Sequence, residues 1–168
     1  DTASAYTGGT GVDTLNLTAQ FEGTGSTGYQ VTLGVATKID AVNVLDGGDG
    51  TGAGDDLYLD LASNYATSLT VDASALDAGT TNASGVAQID FENLVFDGSN
   101  MTGAKTLSVT GGAGNDNITG HSGSDTIIGG NGADTIVSGA GVDSIDGGEG
   151  NDTINVAGNF TADDVVDG

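Results

Sequence analysis

The sequence of 168 residues contains no cysteine, proline, tryptophan or arginine. Without cysteine the chain has neither disulfides nor thiolate metal sites, which fits an extracellular protein stabilised by metal ions. Its only strong cations are Lys38 and Lys105, against 24 acidic side chains, and the formal charge is −22. Because two lysines are too few to neutralise phosphates, this balance argues against nucleic acid and anionic membrane surfaces as partners. No apolar run is long enough to span a bilayer, so membrane insertion is not expected.

This acidic balance also bears on whether the chain folds at all. Self-repulsion at a charge of −22 disfavours a compact state unless cations bind at fixed places. Acidic composition with only four Phe and four Tyr is also typical of disorder. The absence of proline and the regular spacing of β-branched residues favour packed strands instead.

Residues 111–155 are five consecutive copies of one nonapeptide: GGAGNDNIT, GHSGSDTII, GGNGADTIV, SGAGVDSID and GGEGNDTIN. Position four is always Gly, position six always Asp, and position eight always Ile. A fixed period of this kind is the signature of a solenoid, and GGxGxDxUx is its calcium-binding form. The array therefore predicts a calcium-dependent fold with several Ca²⁺ ions.

Each copy divides into a glycine-rich turn and a short strand such as 117–119, whose middle side chain points inward. Two copies form one coil. Stacking then places Ile118, Ile136 and Ile154 in one internal column and Ile127 with Ile145 in the facing column. Full burial of an isoleucine contributes roughly 1.5–3 kcal/mol, too little to order so many glycines. Calcium is expected to supply the difference.

Residues 111–155 resemble the calcium-binding β-roll of RTX (repeats-in-toxin) proteins, which are exported by type I secretion. The resemblance implies that a site combines the carbonyls of positions two and four and the Asp of one turn with the carbonyls of positions one and three and the Asp of the next turn on the same side. Carried over, the first site uses Gly112, Gly114 and Asp116 with Gly129, Asn131 and Asp134. The second uses His121, Gly123 and Asp125 with Ser138, Ala140 and Asp143. The third uses Gly130, Gly132 and Asp134 with Gly147, Glu149 and Asp152, so that Asp134 is shared between two ions. A fourth site from Gly139, Gly141 and Asp143 meets Thr161 where Asp is needed, with Asp163 or Asp164 as substitutes.

The first 110 residues carry weaker versions of the same signals. A sixth copy at 8–16 places Asp13 in register, and a degenerate turn at 46–56 contains Asp55; both aspartates are candidate calcium ligands. Leu107 stands where the ligand Asp would be, so its turn is expected to be poor in calcium. Segments 39–48 and 89–98 both begin Ile-Asp, which suggests a looser repeat of about 50 residues.

These patterns predict an all-β fold, a right-handed parallel β-solenoid with a regular calcium-binding β-roll in its C-terminal third. Residues 1–110 form an irregular solenoid with isolated RTX-like turns, or alternatively a small β-sandwich. Residues 111–155 form the β-roll, and residues 156–168 form a cap or a link to a further C-terminal part.

The functional expectation is a structural protein and not an enzyme. The single histidine, His121, occupies a repeat position, and no catalytic constellation accompanies it. The composition and the looser strands resemble bacterial RTX-type surface-layer proteins and large adhesins. That resemblance implies a bacterial cell surface, calcium-dependent self-association into a layer or filament, and cell-surface polysaccharide as a further partner. The alternatives are an adhesin rod module and the calcium-binding tail of a secreted hydrolase or epimerase.

Overall fold

A computed structural model describes residues 11–19, 29–33, 39–46, 57–61, 68–76, 93–156 and 160–168. These residues contain thirteen strands and no helix, hence no helix able to cross a membrane. The strands are β1 (Thr14–Ala19), β2 (Tyr29–Leu33), β3 (Ala41–Asp46), β4 (Leu57–Leu61), β5 (Leu69–Asp72), β6 (Leu94–Asp97), β7 (Leu107–Thr110), β8 (Asn117–Thr119), β9 (Asp125–Asn131), β10 (Thr135–Val137), β11 (Ser144–Glu149), β12 (Thr153–Asn155) and β13 (Val165–Asp167).

The strands alternate between two parallel sheets as the chain advances. Odd-numbered strands form a seven-stranded sheet in the order β1-β3-β5-β7-β9-β11-β13. Even-numbered strands form a six-stranded sheet in the order β12-β10-β8-β6-β4-β2. Each coil thus contributes one strand to each sheet, which confirms the predicted all-β parallel solenoid.

The described strands before Gly111 belong to the same two sheets as those after it. The described strands before Gly111 thus continue the solenoid, and the assignment of residues 1–110 as a whole remains a prediction. Coil length varies along the stack: stacked partners are 27 residues apart at Asp13 and Asp40, 22 at Leu94 and Asp116, and 18 within the array. The division of the chain at 110 and at 155 remains a prediction.

The core is a set of apolar columns that run along the stack. Ile118, Ile136 and Ile154 pair in register in the six-stranded sheet, and Ile127 pairs with Ile145 in the seven-stranded sheet. Ile118, Ile127, Ile136 and Ile145 are fully buried. Both predicted columns are therefore present, and apolar residues of earlier coils extend them.

Strand lengths depart from the simple repeat. The strand β8 covers the predicted 117–119, with Ile118 buried between two more exposed neighbours. The strands β9 and β11 continue into the following turn, as far as Asn131 and Glu149. They do so because Gly130 pairs with Gly148, and Asn131 with Glu149, which extends the parallel pairing beyond the isoleucine.

Candidate calcium-binding array

The position-six aspartates form a hydrogen-bonded ladder along the stack. Asp134 Oδ1 accepts the Asp116 amide at 2.7 Å, and Asp152 Oδ1 accepts the Asp134 amide at 3.0 Å. On the other side of the solenoid, Asp143 Oδ1 accepts the Asp125 amide at 3.0 Å. In each pair the partners are 18 residues apart, which is one coil. One oxygen of each carboxylate therefore fixes the start of the coil before it.

The second carboxylate oxygen is left for another partner. Oδ2 of Asp134 and Oδ2 of Asp152 are buried and have no hydrogen-bond partner. A Cβ on Gly129 would overlap both Asp134 Oδ2 and the Gly147 carbonyl oxygen, so these two oxygens border one space that glycine leaves open. Buried carboxylate oxygens without partners are costly unless a cation neutralises them. Calcium binds such mixed sets of carboxylate and carbonyl oxygens, so the residues present fit the ion.

The first predicted site has a similar geometry. Asp116 Oδ2 and the Gly129 carbonyl oxygen border the same space at Gly111, where a Cβ would overlap both. Asp116 Oδ2 also accepts the Gly112 amide at 2.8 Å. The structure thus brings together a carboxylate and a carbonyl from two turns that the resemblance assigns to one ion.

Several predicted carbonyl ligands form hydrogen bonds between stacked turns. The Gly112 carbonyl accepts the Asn131 amide at 3.0 Å, and the Glu149 carbonyl accepts the Gly132 amide at 2.8 Å. A carbonyl oxygen has two lone pairs, so one hydrogen bond leaves capacity for an ion. The carbonyl oxygens of positions two and four face the equivalent glycine of the next coil: Gly112 faces Gly130, Gly114 faces Gly132, Gly130 faces Gly148, and Gly132 faces Gly150.

Backbone conformation requires glycine at these facing positions, as Gly130 and Gly132 illustrate. Gly130 has φ of 117° and Gly132 has φ of 123°, values that a residue with a Cβ rarely adopts. A side chain there would also meet the carbonyl oxygen of the coil before. The close stacking of turns explains why the repeat is rich in glycine.

The second predicted site differs from the other two because a side chain enters it. The His121 imidazole contacts Asp125 Oδ1 through Nδ1, and the His121 amide donates to Asp125 Oδ2 at 2.7 Å. The Ser138 carbonyl oxygen and Asp125 Oδ2 border the same space at Gly120. The Ala140 amide donates to the His121 carbonyl at 3.0 Å.

Burial perturbs the acidity of these carboxyl groups. Desolvation raises the pKa of Asp116 to about 7, although amide hydrogen bonds from Leu94 and Gly112 lower it. Desolvation raises the pKa of Asp125 to about 6, opposed by His121. It also raises the pKa of Asp134, which the Asp116 amide opposes. The array therefore holds negative charge where water does not stabilise it, and a bound cation would do so.

Two ladder aspartates outside the five copies were partly or wholly missed by the sequence pattern. Asp164 Oδ1 accepts the Asp143 amide at 2.8 Å, so Asp164, and not Asp163, takes the position where Thr161 interrupts the repeat. At the other end, Asp40 Oδ2 accepts the Asp13 amide at 3.0 Å. The signal for Asp40 was its place immediately before a strand, as for Asp13. Asp55 lies outside the described residues.

In β4 to β7, the strands nearest the array, leucine occupies the ladder position, which is the position equivalent to the position-six aspartate. The register pairs Leu107 with Asp125, as the sequence indicated. The Leu94 amide donates to Asp116 Oδ1 at 2.8 Å and ends the ladder on the other side. Apolar burial replaces carboxylate and ion in these coils. The leucines at this position are all buried: Leu57, Leu69, Leu94 and Leu107.

Within the described part of the chain, no three His, Asp or Glu side chains cluster to form a metal site by themselves. Each predicted site instead combines two carboxylates with backbone carbonyls. The family model for the RTX calcium-binding nonapeptide repeat (4 copies) matches residues 108–136 and 128–158. The array is of the RTX type.

RTX repeats imply calcium binding, so the RTX array is a calcium-binding element. The number of ions and the individual ligands remain predictions. RTX repeat proteins are typically secreted and extracellular. Neither the comparison with curated proteins nor the comparison with solved structures found a match.

Proposed function

We propose that this chain is a segment of an extracellular structural protein whose RTX array folds on binding calcium and whose solenoid then assembles into a surface layer or filament. The observation that carries the proposal is the pair of buried, unpartnered oxygens, Asp134 Oδ2 and Asp152 Oδ2, beside glycines that leave room for an ion. Without a cation these groups oppose folding, and with one they stabilise it.

The proposal includes a role for calcium in export by type I secretion. Cytosolic calcium is too low to fill weak sites, so the acidic chain stays unfolded and passes through a narrow channel. Outside the cell, calcium fills the turns and the array folds. The same ions also reduce the self-repulsion of a chain with a charge of −22, which is a condition for copies to associate.

The coils before the array favour a structural role over a calcium-binding tail of a hydrolase or epimerase. They continue both sheets, and β4 to β7 carry leucine in the ladder position, so the solenoid extends beyond the calcium-binding turns. We propose no enzymatic activity for this chain. His121, which has the only imidazole in the sequence, is buried against Asp125 and is not available to a substrate.

Sedimentation velocity with calcium added and with calcium chelated tests the proposal. The expected result is an expanded, slowly sedimenting monomer in chelator that forms large assemblies in calcium. A compact monomer in calcium would retain the calcium-dependent fold and favour an adhesin rod or an enzyme tail. Identical sedimentation in both conditions would contradict the proposal as a whole. Adding soluble cell-surface polysaccharide to the calcium sample tests the second proposed partner.

A further inference from the structure

His121 distinguishes the second copy from the other four. Position two is glycine in the remaining copies, namely Gly112, Gly130, Gly139 and Gly148. The His121 side chain is fully buried, and it directs Nδ1 at Asp125 Oδ1. Because Nδ1 faces a carboxylate oxygen, it carries the hydrogen and donates.

Both oxygens of Asp125 are therefore engaged by one residue. Oδ1 contacts the imidazole Nδ1, and Oδ2 accepts a hydrogen bond from the His121 amide. The matching amide bond exists in the first copy, from Gly112 to Asp116, but no side chain accompanies it there. Asp134 and Asp152 have a buried oxygen with no partner at all. The imidazole is the feature that separates the second turn from its equivalents.

The ring also fills the space within its own turn. A Cβ on Gly123 would meet His121 Nε2 and the carbonyl oxygen of Lys105. The Gly123 carbonyl is one of the predicted ligands of the second site, so the ring packs against a residue of that site. His121 Nε2 is buried without a hydrogen-bond partner, which shows that the ring is enclosed and not directed to solvent.

We propose that His121 replaces calcium in the second turn, so that the array binds calcium at the first and third predicted sites but not at the second. This inference rests on the proposed calcium-dependent fold. The imidazole N–H donates to Asp125 in place of the metal ion, and the ring occupies volume that the glycine of other copies leaves free. The turn containing Asp125 and Asp143 is then ordered at calcium concentrations that leave the other turns empty.

Calcium stoichiometry of the full chain tests this inference by isothermal titration calorimetry, with far-UV circular dichroism to confirm that each variant folds in calcium. We expect His121→Gly, which restores the repeat, to bind one more calcium ion than the unmodified chain. The matched control is Ser138→Gly, which restores glycine at the other irregular position of the same site but keeps the ring. It should leave the ion count unchanged.

A second variant keeps the inference testable if His121→Gly folds poorly. Asp125→Asn removes the carboxylate of the second turn, and we expect no loss of bound calcium, whereas Asp152→Asn should lose one ion. Equal, non-zero numbers of bound calcium ions in His121→Gly and the unmodified chain would overturn this inference but not the proposed function. A bound ion gained in Ser138→Gly, or lost in Asp125→Asn, would have the same meaning. No calcium binding by the unmodified chain would overturn the proposed function as well.

Discussion

Replacing Asp134 by alanine is expected to damage the array more than any other single change to a ladder aspartate. Asp134 accepts the Asp116 amide with Oδ1, its Oδ2 is buried without a hydrogen-bond partner, and the residue is predicted to be shared between two calcium sites. Asp152 makes the equivalent bond to the Asp134 amide but belongs to one predicted site. The comparison of the two alanine variants therefore isolates the consequence of sharing.

The expected magnitude follows from these contacts. Leaving the buried Asp116 amide without an acceptor costs about 1–3 kcal/mol. For dissociation constants on the order of 10⁻⁴ M and calcium on the order of 10⁻³ M, each lost site removes about 1.4 kcal/mol. Asp134→Ala should then cost about 4–6 kcal/mol in calcium, and Asp152→Ala about 2.5–4.5 kcal/mol. A small domain has roughly 5 kcal/mol in total, so the first variant should leave the array largely unfolded.

Urea unfolding followed by circular dichroism, at fixed calcium and in chelator, measures both costs. Asp134→Asn is the matched control because it keeps an acceptor for the Asp116 amide while removing the charge. In chelator the cost of Asp134→Asn should be small or reversed, since the variant removes a buried charge that no cation neutralises. Equal effects of Asp134→Ala and Asp152→Ala in calcium, with equal calcium affinity, would refute the shared-ligand assignment.

Three further predictions follow from the same geometry. In chelator, acid should restore β structure to the array. Burial raises the pKa of Asp116 from 3.8 to about 7. The stabilising contribution of the protonated carboxyl is therefore fully present below about pH 4 and is lost as pH rises through about 7. Circular dichroism that shows more β structure at about pH 8 than at about pH 5 would contradict this prediction. Gly129→Ala should weaken calcium binding in titration calorimetry, because the added Cβ would overlap Asp134 Oδ2. Gly129 is not among the glycines with positive φ, so alanine is compatible with the backbone conformation there. Unchanged calcium affinity would mean that the space at Gly129 holds no ion. Phe96→Ala should lower the free energy of unfolding in urea by about 3–5 kcal/mol with or without calcium, because Phe96 is buried in a coil with leucine at the ladder position. A loss of stability confined to calcium-containing buffer would contradict the view that this coil is held by apolar packing and not by an ion.

The nonapeptide period was sufficient to predict the regular part of the fold. Position eight gave the two isoleucine columns, and the 18-residue coil placed Asp116 beside Asp134 in space. These predictions succeeded because strand, turn and ladder residue recur at fixed positions, so one copy constrains its neighbours. Leu107 was also placed correctly by counting back from the first copy.

The irregular coils could not be derived in the same way. The suggested repeat of about 50 residues, from 39–48 to 89–98, does not correspond to a coil, because β3 and β6 lie in different sheets. The spacing between stacked residues varies there, and only strand pairing shows which residues stack. Asp40 and Asp164 likewise became ladder residues through spacings of 27 and 21 residues, whereas the spacing within the array is 18 residues.

The part played by the His121 side chain was also beyond the sequence pattern. A repeat specifies which backbone atoms are near an ion, and on that basis His121 was expected to contribute only its carbonyl. The sequence allows the side chain to point toward solvent or into its own turn. In the structure it points into the turn and is buried against Asp125. Tertiary packing, not periodicity, determined that outcome.

The aspartate ladder gives the solenoid a chemical direction. Carboxylate oxygens accept amides of the coil before: Asp116 that of Leu94, Asp134 that of Asp116, and Asp164 that of Asp143. Backbone carbonyls act in the opposite sense, because the amides of Thr135, Thr153 and Val165 donate to the carbonyls of Asp116, Asp134 and Asp143 in the coil before. Removing the last coil therefore takes a carboxylate acceptor from a ladder amide, and removing the first coil takes a carbonyl acceptor from a strand amide. Loss of either terminal coil should consequently leave an unsatisfied amide in the coil next to it.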